Sequence, residues 1–411
     1  MDYINRAAEK LAKEAVETYK SILVTGARQT GKSTMLEELF PDRKVVTFDD
    51  QFAEDQAKNN PTEFIDLNPP PVTYDEVQYV PSLFRYIKIA CDASKDTGLF
   101  CLTGSQPFKL MKTASESLAG RVSIIELSTL SLREMQKTDF GQSFVPTMEY
   151  VKARQKSAKK PKNIWSIIHR GGYPALQNPK MNCERFFSDY IKTYLERDVR
   201  ALSAVQDLNT FRRFMIACAA RTGQMLNYSN IASEISKDAD TVKNWISILE
   251  ASGIIYILEP YCPSVLNRAI KTPKLYFRDT GLACYLTRWL TPETLANGAM
   301  AGEIFETYVI SEILKSYSNA GIDYHYCVSY YRGKDKKDSS ESEIDFIIEK
   351  DGLLYPVEIK KTSKPAADMT SAFTILDNIP EKKRGTGAVV CMCSAPGLLR
   401  ENILAIPVWY V

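Results

Sequence analysis

The residues Gly26-Ala-Arg-Gln-Thr-Gly-Lys-Ser33 match G-x-x-x-x-G-K-[ST] at every defined position. A run of this kind can cradle a polyphosphate. Backbone N–H groups of Gly26, Ala27, Arg28, Gln29, Thr30 and Gly31 would crowd the phosphates, with Thr34 just beyond, where a helix start adds positive potential. Lys32 would reach the outer phosphates and the Ser33 hydroxyl would ligate Mg²⁺. Asp75-Glu76 is the next chemical pair: Asp75 is placed to hold the metal shell and Glu76 to orient an attacking water. Ser105 and Gln106 are candidates for sensing the terminal phosphate, and Arg121 for stabilising its charge in its own site or a neighbour's.

A second set lies some 310 to 330 residues beyond the phosphate loop. Period-2 alternation along Leu354 to Lys361 places Glu358 and Lys360 on one face, with Val357 and Ile359 behind them. Glu343 and Asp345 share a face in the same way, and Glu306 sits on an apolar-sided helix that precedes them. An E-x-K pair alone is a common surface motif. Helical Glu306, strand Asp345 and Glu358-x-Lys360, in that order with twelve residues between Asp345 and Glu358, resemble the PD-(D/E)XK nuclease core. The resemblance implies Mg²⁺ on Glu306, Asp345 and Glu358, with Lys360 positioning or deprotonating a water.

The elements that must position these groups read as α/β. Ile22, Leu23 and Val24 form a buried strand before the loop, and Met35, Leu36 and Leu39 mark a helix after it. Further strands are expected at 44–50, at Val72 to Tyr74 (delivering Asp75), at 98–103 and at 122–127, with an acidic, polar helix after residue 50. Residues 152–162 carry six basic residues and no acid; such a run could touch phosphates, but it reads more readily as a solvated or mobile insertion. A helix is expected over 183–202, ending in Glu196, Arg197 and Asp198. Helices at Tyr228 to Ser236 and Asp240 to Ser252, then the strand Gly253 to Leu258, form a winged-helix pattern. The outward face of its second helix carries one basic residue, Lys243, so it is as well suited to protein docking as to reading DNA. A helix over 302–314 and a tyrosine-rich strand around Tyr324 to Tyr331 precede Asp345.

The 411 residues provide for two to four cores. The formal charge of +2 excludes a surface that is everywhere a nucleic-acid or membrane trap. From residue 301 onward, 13 Lys and Arg stand against 16 Asp and Glu, so the C-terminal region is not broadly basic. Lysines at 334, 336 and 337 and the run Lys382-Lys-Arg384 could still form a track for a polyanion. Nine cysteines without a C-x-x-C pair, and only two histidines, argue for free thiols in a reducing compartment. No signal-peptide pattern opens the chain and no apolar run could span a bilayer, so a cytoplasmic location is expected.

The phosphate loop together with Tyr74-Asp-Glu-Val-Gln78, Leu102-Thr-Gly-Ser105, Leu118-Ala-Gly-Arg121, Leu130-Ser-Leu-Arg-Glu134, Gly171-Gly-Tyr-Pro-Ala175 and Tyr190 to Asp198 resembles the prokaryotic AAA-type ATPases whose C-terminal half is a domain of unknown function. The resemblance spans essentially the whole chain. It departs at Tyr74, where an aliphatic residue is more usual. The expected architecture is α/β: a P-loop NTPase (AAA-type) domain at 1–140, a helical segment with a basic insertion at 141–210, a winged-helix domain at 211–290, and a PD-(D/E)XK-like α/β domain at 296–411. The expected activity is Mg-dependent hydrolysis of ATP, with the nucleotide state controlling a metal-dependent, DNA-processing C-terminal domain. The alternative is an ATP-regulated switch or adaptor with a catalytically silent C-terminal domain. ATP and Mg²⁺ are the expected cofactors. DNA and an unidentified protein are the candidate partners, a homo-oligomer is a candidate assembly, and no membrane association is expected.

Overall fold

Ser21–Thr25 (β1) is buried along its whole length, as a central parallel strand covered on both faces must be. In the computed structural model of the protein, which describes residues 3–105, 118–194, 207–261, 272–334 and 341–411, β1 lies inside a five-stranded parallel sheet. Its companions are Lys44–Thr47 (β2), Val72–Asp75 (β3), Phe100–Thr103 (β4) and Val122–Glu126 (β5), in the order β2-β3-β4-β1-β5. β4 is inserted between β1 and β3, with Val24 opposite Thr103 and Tyr74 opposite Leu102. The phosphate loop, Asp75 and the end of β4 therefore emerge together at one edge, where parallel α/β sheets bind ligands. Separate apolar clusters line the sheet, one around Leu23, Tyr74, Phe84 and Phe100, the other around Ala12, Ile22, Val24 and Met35. The polar stretch after residue 50 forms two helices, Gln51–Asn59 and Pro61–Leu67. Pro61 cannot continue the first helix but suits the opening turn of the second.

The middle of the chain packs helices Leu208–Ala219, Tyr228–Ile235 and Ala239–Ala251 against a small antiparallel sheet. Its strands are Gln224–Met225 (β6), Ile255–Leu258 (β7) and Lys274–Phe277 (β8), ordered β6-β8-β7. Asn227 and Asp238 cap the second and third helices through their side chains, which fixes where each begins. Of the helix expected over 183–202, Cys183–Tyr194 is present; Arg197 lies outside the described residues, as do Gln106 and the lysines at 336 and 337.

The C-terminal region is built on the long helix Ala301–Ser318 and a seven-stranded mixed sheet. Its strands are Val328–Lys334 (β9), Glu341–Lys350 (β10), Leu353–Lys360 (β11), Lys383–Arg384 (β12), Gly387–Cys391 (β13), Gly397–Arg400 (β14) and Ile403–Pro407 (β15). β9 starts later than expected because Asp323 accepts a bond from the His325 N–H and turns Tyr324–Tyr326 into a 3₁₀ segment. One apolar cluster runs from Leu132 through Trp245 and Phe305 to Trp409, so the middle and C-terminal elements share a core.

The basic segment at 152–162 is not a solvated insertion throughout. Arg154, on helix Met148–Gln155, is 0% exposed. Its guanidinium lies over Phe140 and donates to the Trp409 carbonyl. Packing by an aromatic face and a carbonyl offsets only part of the cost of burying that cation, and burial, with the Arg133 charge nearby, pushes its pKa down to about 10.

Candidate functional site

The loop after β1 takes its shape from its glycines. Gly26 has φ +139°, and a Cβ there would lie 2.2 Å from the Leu127 carbonyl oxygen. Gly31, at φ +91°, leads into helix Lys32–Leu39. The Lys32 ammonium is folded back on the loop, donating to the Gly26 and Ala27 carbonyls at 3.2 and 2.9 Å. Ser33 donates to Asp75 Oδ1 at 2.5 Å. Asp75 is steadied further by the Thr47 and Thr103 hydroxyls, from the ends of the two strands beside β3. This is a hard, oxygen-only donor set, and it fits Mg²⁺.

Glu76 adopts a left-handed backbone, φ 57°, which turns its carboxylate out of the strand direction. Ser105 donates to it at 2.9 Å and Gln78 donates to its other oxygen. Arg28, Gln29, Gly31, Thr34 and Thr193 join Lys32, Ser33, Glu76 and Ser105 around an open cleft of about 400 Å³. The geometry can hold a polyphosphate against the loop with a carboxylate beyond its far end.

Arg121 does not join this cleft. It precedes β5, beside Ser21, at the opposite end of the parallel sheet, and pairs with Asp92 at 2.5 Å. Thus the expectation of Arg121 as a nucleotide ligand fails for its own site.

Behind the loop lies a second layer of contacts. Arg6, 5% exposed, donates to the Thr30 carbonyl at 2.7 Å and to Glu134 at 3.0 Å. Glu134 closes a capping box with Ser131. The same segment is gripped from the C-terminal side: Leu132 N–H donates to Glu312 at 2.8 Å, and Lys315 donates to the Leu130 carbonyl at 3.0 Å. Glu312 and Lys315 belong to the helix that carries Glu306.

In the C-terminal region Asp345, Glu358 and Lys360 come together. Lys360 lies 3.0 Å from Asp345 and 2.5 Å from Glu358, and Ile359 N–H donates to Asp345 at 2.8 Å. Glu306 is held separately, 2.6 Å from the Tyr276 hydroxyl and 3.4 Å from the Lys274 ammonium. Burial, and then the charge of Asp345, push Glu306 up to about 7 and Glu358 up to about 8. Burial opposes the charge on Lys274, but Glu306 and Glu343 outweigh it and hold Lys274 above the usual lysine range. Asp345 and Glu358 do the same for Lys360. The second oxygen of Glu358 is buried without a hydrogen-bond partner.

Among the described residues no three His, Cys, Asp or Glu side chains gather as a metal site. As arranged, Glu306, Asp345 and Glu358 do not fit a metal, because an ammonium group sits on one oxygen of each carboxylate and places like charge where the ion would lie.

Residue-by-residue reading of the sequence missed Thr47, Thr103 and Arg6 around the nucleotide cleft, and Lys274 and Tyr276 in the acidic cluster. The two threonines end strands that flank β3, a signal available once the strand order is known. The other three make contacts between distant segments and leave no local trace.

Residues 18–136 match an AAA domain, 161–293 a Domain of unknown function (DUF8612), and 301–411 another Domain of unknown function (DUF4143). The chain therefore combines an AAA-type P-loop domain that supports ATP binding with a C-terminal domain of unknown function. Uncharacterized proteins of Mycobacterium bovis and Mycobacterium tuberculosis are each 26% identical over 375 residues, covering 90% of this chain and 77% of theirs. Among solved structures, the chain is similar to a Walker-type ATPase of Pyrococcus abyssi (14% identity, TM-score 0.45, 69% of this chain and 96% of that one). It is also similar to AMPPCP-bound DnaA from Aquifex aeolicus (17% identity, TM-score 0.30, 61% and 89%). No helix among the described residues is long and apolar enough to cross a membrane.

Proposed function

We propose that the protein hydrolyses Mg-ATP in the cleft above Gly26 to Ser33 and passes its nucleotide state to the C-terminal domain. The observation that carries the first part is the meeting of Ser33 and Asp75 beside a Glu76 clamped by Ser105 and Gln78. Lys32 exchanges the loop carbonyls for phosphate oxygens, a change of partner that leaves its charge compensated. Mg²⁺ bound through Ser33 and Asp75 would neutralise phosphate charge. Glu76 orients a water towards the terminal phosphate and takes its proton as the water oxygen bonds to phosphorus and the bond to the leaving oxygen of ADP breaks. Ser105 keeps Glu76 aimed at that position.

The second part draws on the grip of Glu312 and Lys315 on the segment that Arg6 ties to the phosphate loop. The output we propose is a nuclease-like, DNA-directed site at Asp345, Glu358 and Lys360. As arranged, that site does not fit a metal.

ATP turnover and nicking of supercoiled DNA, measured with Mg²⁺ or Mn²⁺ and with or without ATP, test both parts. Lys32→Ala is expected to abolish turnover, and Glu358→Ala to abolish ATP-dependent nicking. Full turnover by Lys32→Ala sinks the first part. Absence of nicking under every condition sinks the nuclease-like output and leaves a switch or adaptor.

A further inference from the structure

Lys274 begins β8, a strand of the middle sheet, yet its side chain ends in the acidic cluster of the C-terminal region. It is 4% exposed, and its ammonium lies 3.4 Å from Glu306 and 2.5 Å from Glu343. Its ammonium also lies over the Tyr330 ring, 5.3 Å from the ring centroid. Tyr276, two residues on and so on the same face of the strand, bonds the same Glu306 oxygen. Lys360 occupies Asp345 and Glu358 from the other side. The carboxylates that would surround a divalent ion are thus divided between two ammonium groups, and one of these comes from outside the domain. A hard dication needs those oxygens turned to a common centre, and an ammonium among them supplies like charge at short range.

We infer that Lys274 is a resident cation that closes the C-terminal acidic site to divalent metal. The inference rests on the reading of Glu306, Asp345 and Glu358 as a ligand set. It goes beyond that reading in assigning the closure to the middle sheet. The opposite end of β8 offers a means of control: Arg278, the next residue, pairs with Glu126 at the end of β5 and donates to Ser128. One short strand therefore has the AAA-type sheet at one end and the acidic site at the other.

The test is Mn²⁺ binding to the full-length, nucleotide-free chain, followed by electron paramagnetic resonance of free Mn²⁺ and by calorimetry. Lys274→Met is expected to bind one additional Mn²⁺, at least tenfold more tightly than the unaltered protein, and Lys274→Met/Glu358→Gln is expected to lose it. Lys274→Arg, which keeps the charge, should stay closed. Lys274→Gln removes the charge while keeping a polar end against Glu343 and should likewise raise affinity, which covers the case in which Lys274→Met does not fold. Glu358-dependent Mn²⁺ binding by the unaltered protein, as tight as that of Lys274→Met, overturns the inference. So does unchanged affinity in both Lys274→Met and Lys274→Gln, or in Lys274→Gln alone should Lys274→Met not fold. A Lys274→Met protein that gains Mn²⁺ but cuts no DNA upholds the closure and defeats the nuclease-like reading, so the two fail separately.

Discussion

Arg6 and Glu134, 128 positions apart, meet in a buried ion pair 3.0 Å across. The same guanidinium holds the Thr30 carbonyl of the phosphate loop. It therefore connects the loop that would hold nucleotide to the segment that the C-terminal helix grips. Because it ties a loop carbonyl from behind the cleft, Arg6 should act on nucleotide binding as a positioning residue.

Removing Arg6 strands Glu134 without its partner. Losing one member of a buried pair costs about 3 to 5 kcal/mol, so Arg6→Ala should lower the melting temperature and weaken binding of a fluorescent ATP analogue. Arg6→Lys keeps the charge but cannot replace the guanidinium, which also donates to the Ser128 carbonyl at 2.7 Å, at Thr30, Ser128 and Glu134 together, and should recover stability more than affinity. Equal recovery of both would show that Arg6 has only a structural role.

In the mechanism we propose, Glu76 serves the water rather than the nucleotide. Glu76→Gln should therefore retain ATP affinity while turnover falls by about 10²-fold or more. Ser105→Ala, which frees one Glu76 oxygen, should lower turnover less. A Glu76→Gln protein hydrolysing ATP at the unaltered rate would remove Glu76 from the chemistry.

Glu358 gives a stability effect with a definite sign. Its carboxyl is raised from the ordinary 4.5 to about 8. Between these values the folded chain keeps a proton that the unfolded chain has released. Folding then takes up a proton, and stability falls as pH rises through that window. Glu358→Gln abolishes this dependence. Its melting temperature relative to the unaltered protein should therefore climb between pH 5 and pH 9, and an offset that stays constant would contradict the shift.

If β8 and the Arg6–Glu134 segment carry nucleotide state outwards, ATP should change hydrogen–deuterium exchange in helix Ala301–Ser318. Arg278→Ala, which detaches β8 from Glu126, should reduce that change while leaving ATP affinity within about twofold. An ATP response in the helix that is untouched by both Arg278→Ala and Arg6→Ala would place the coupling elsewhere.

The nucleotide cleft was legible because its parts are contiguous: glycines, Lys32 and Ser33 occupy eight successive positions, and Asp75-Glu76 closes a short apolar strand. Arg121 was misplaced although the means to place it were present. It precedes its strand, and in a parallel sheet the residues before strands lie opposite the phosphate loop. Arg154 was misread because composition counts a basic run without showing the Phe140 ring and Trp409 carbonyl that accept it. Glu358 and Lys360 were found by alternation. The cation beside Glu306 was not, since Lys274 reaches it from a different sheet and no periodicity links the two.

The apolar cluster that runs from Leu132 through Trp245 and Phe305 to Trp409 has a consequence for how this chain can be divided. A fragment cut between the middle and C-terminal matched regions would present half of a common interior to water on each side of the cut. Recombination or truncation there would yield two insoluble pieces rather than two working ones. The two domains of unknown function in this chain should therefore be produced as a single piece, with the junction between them left intact.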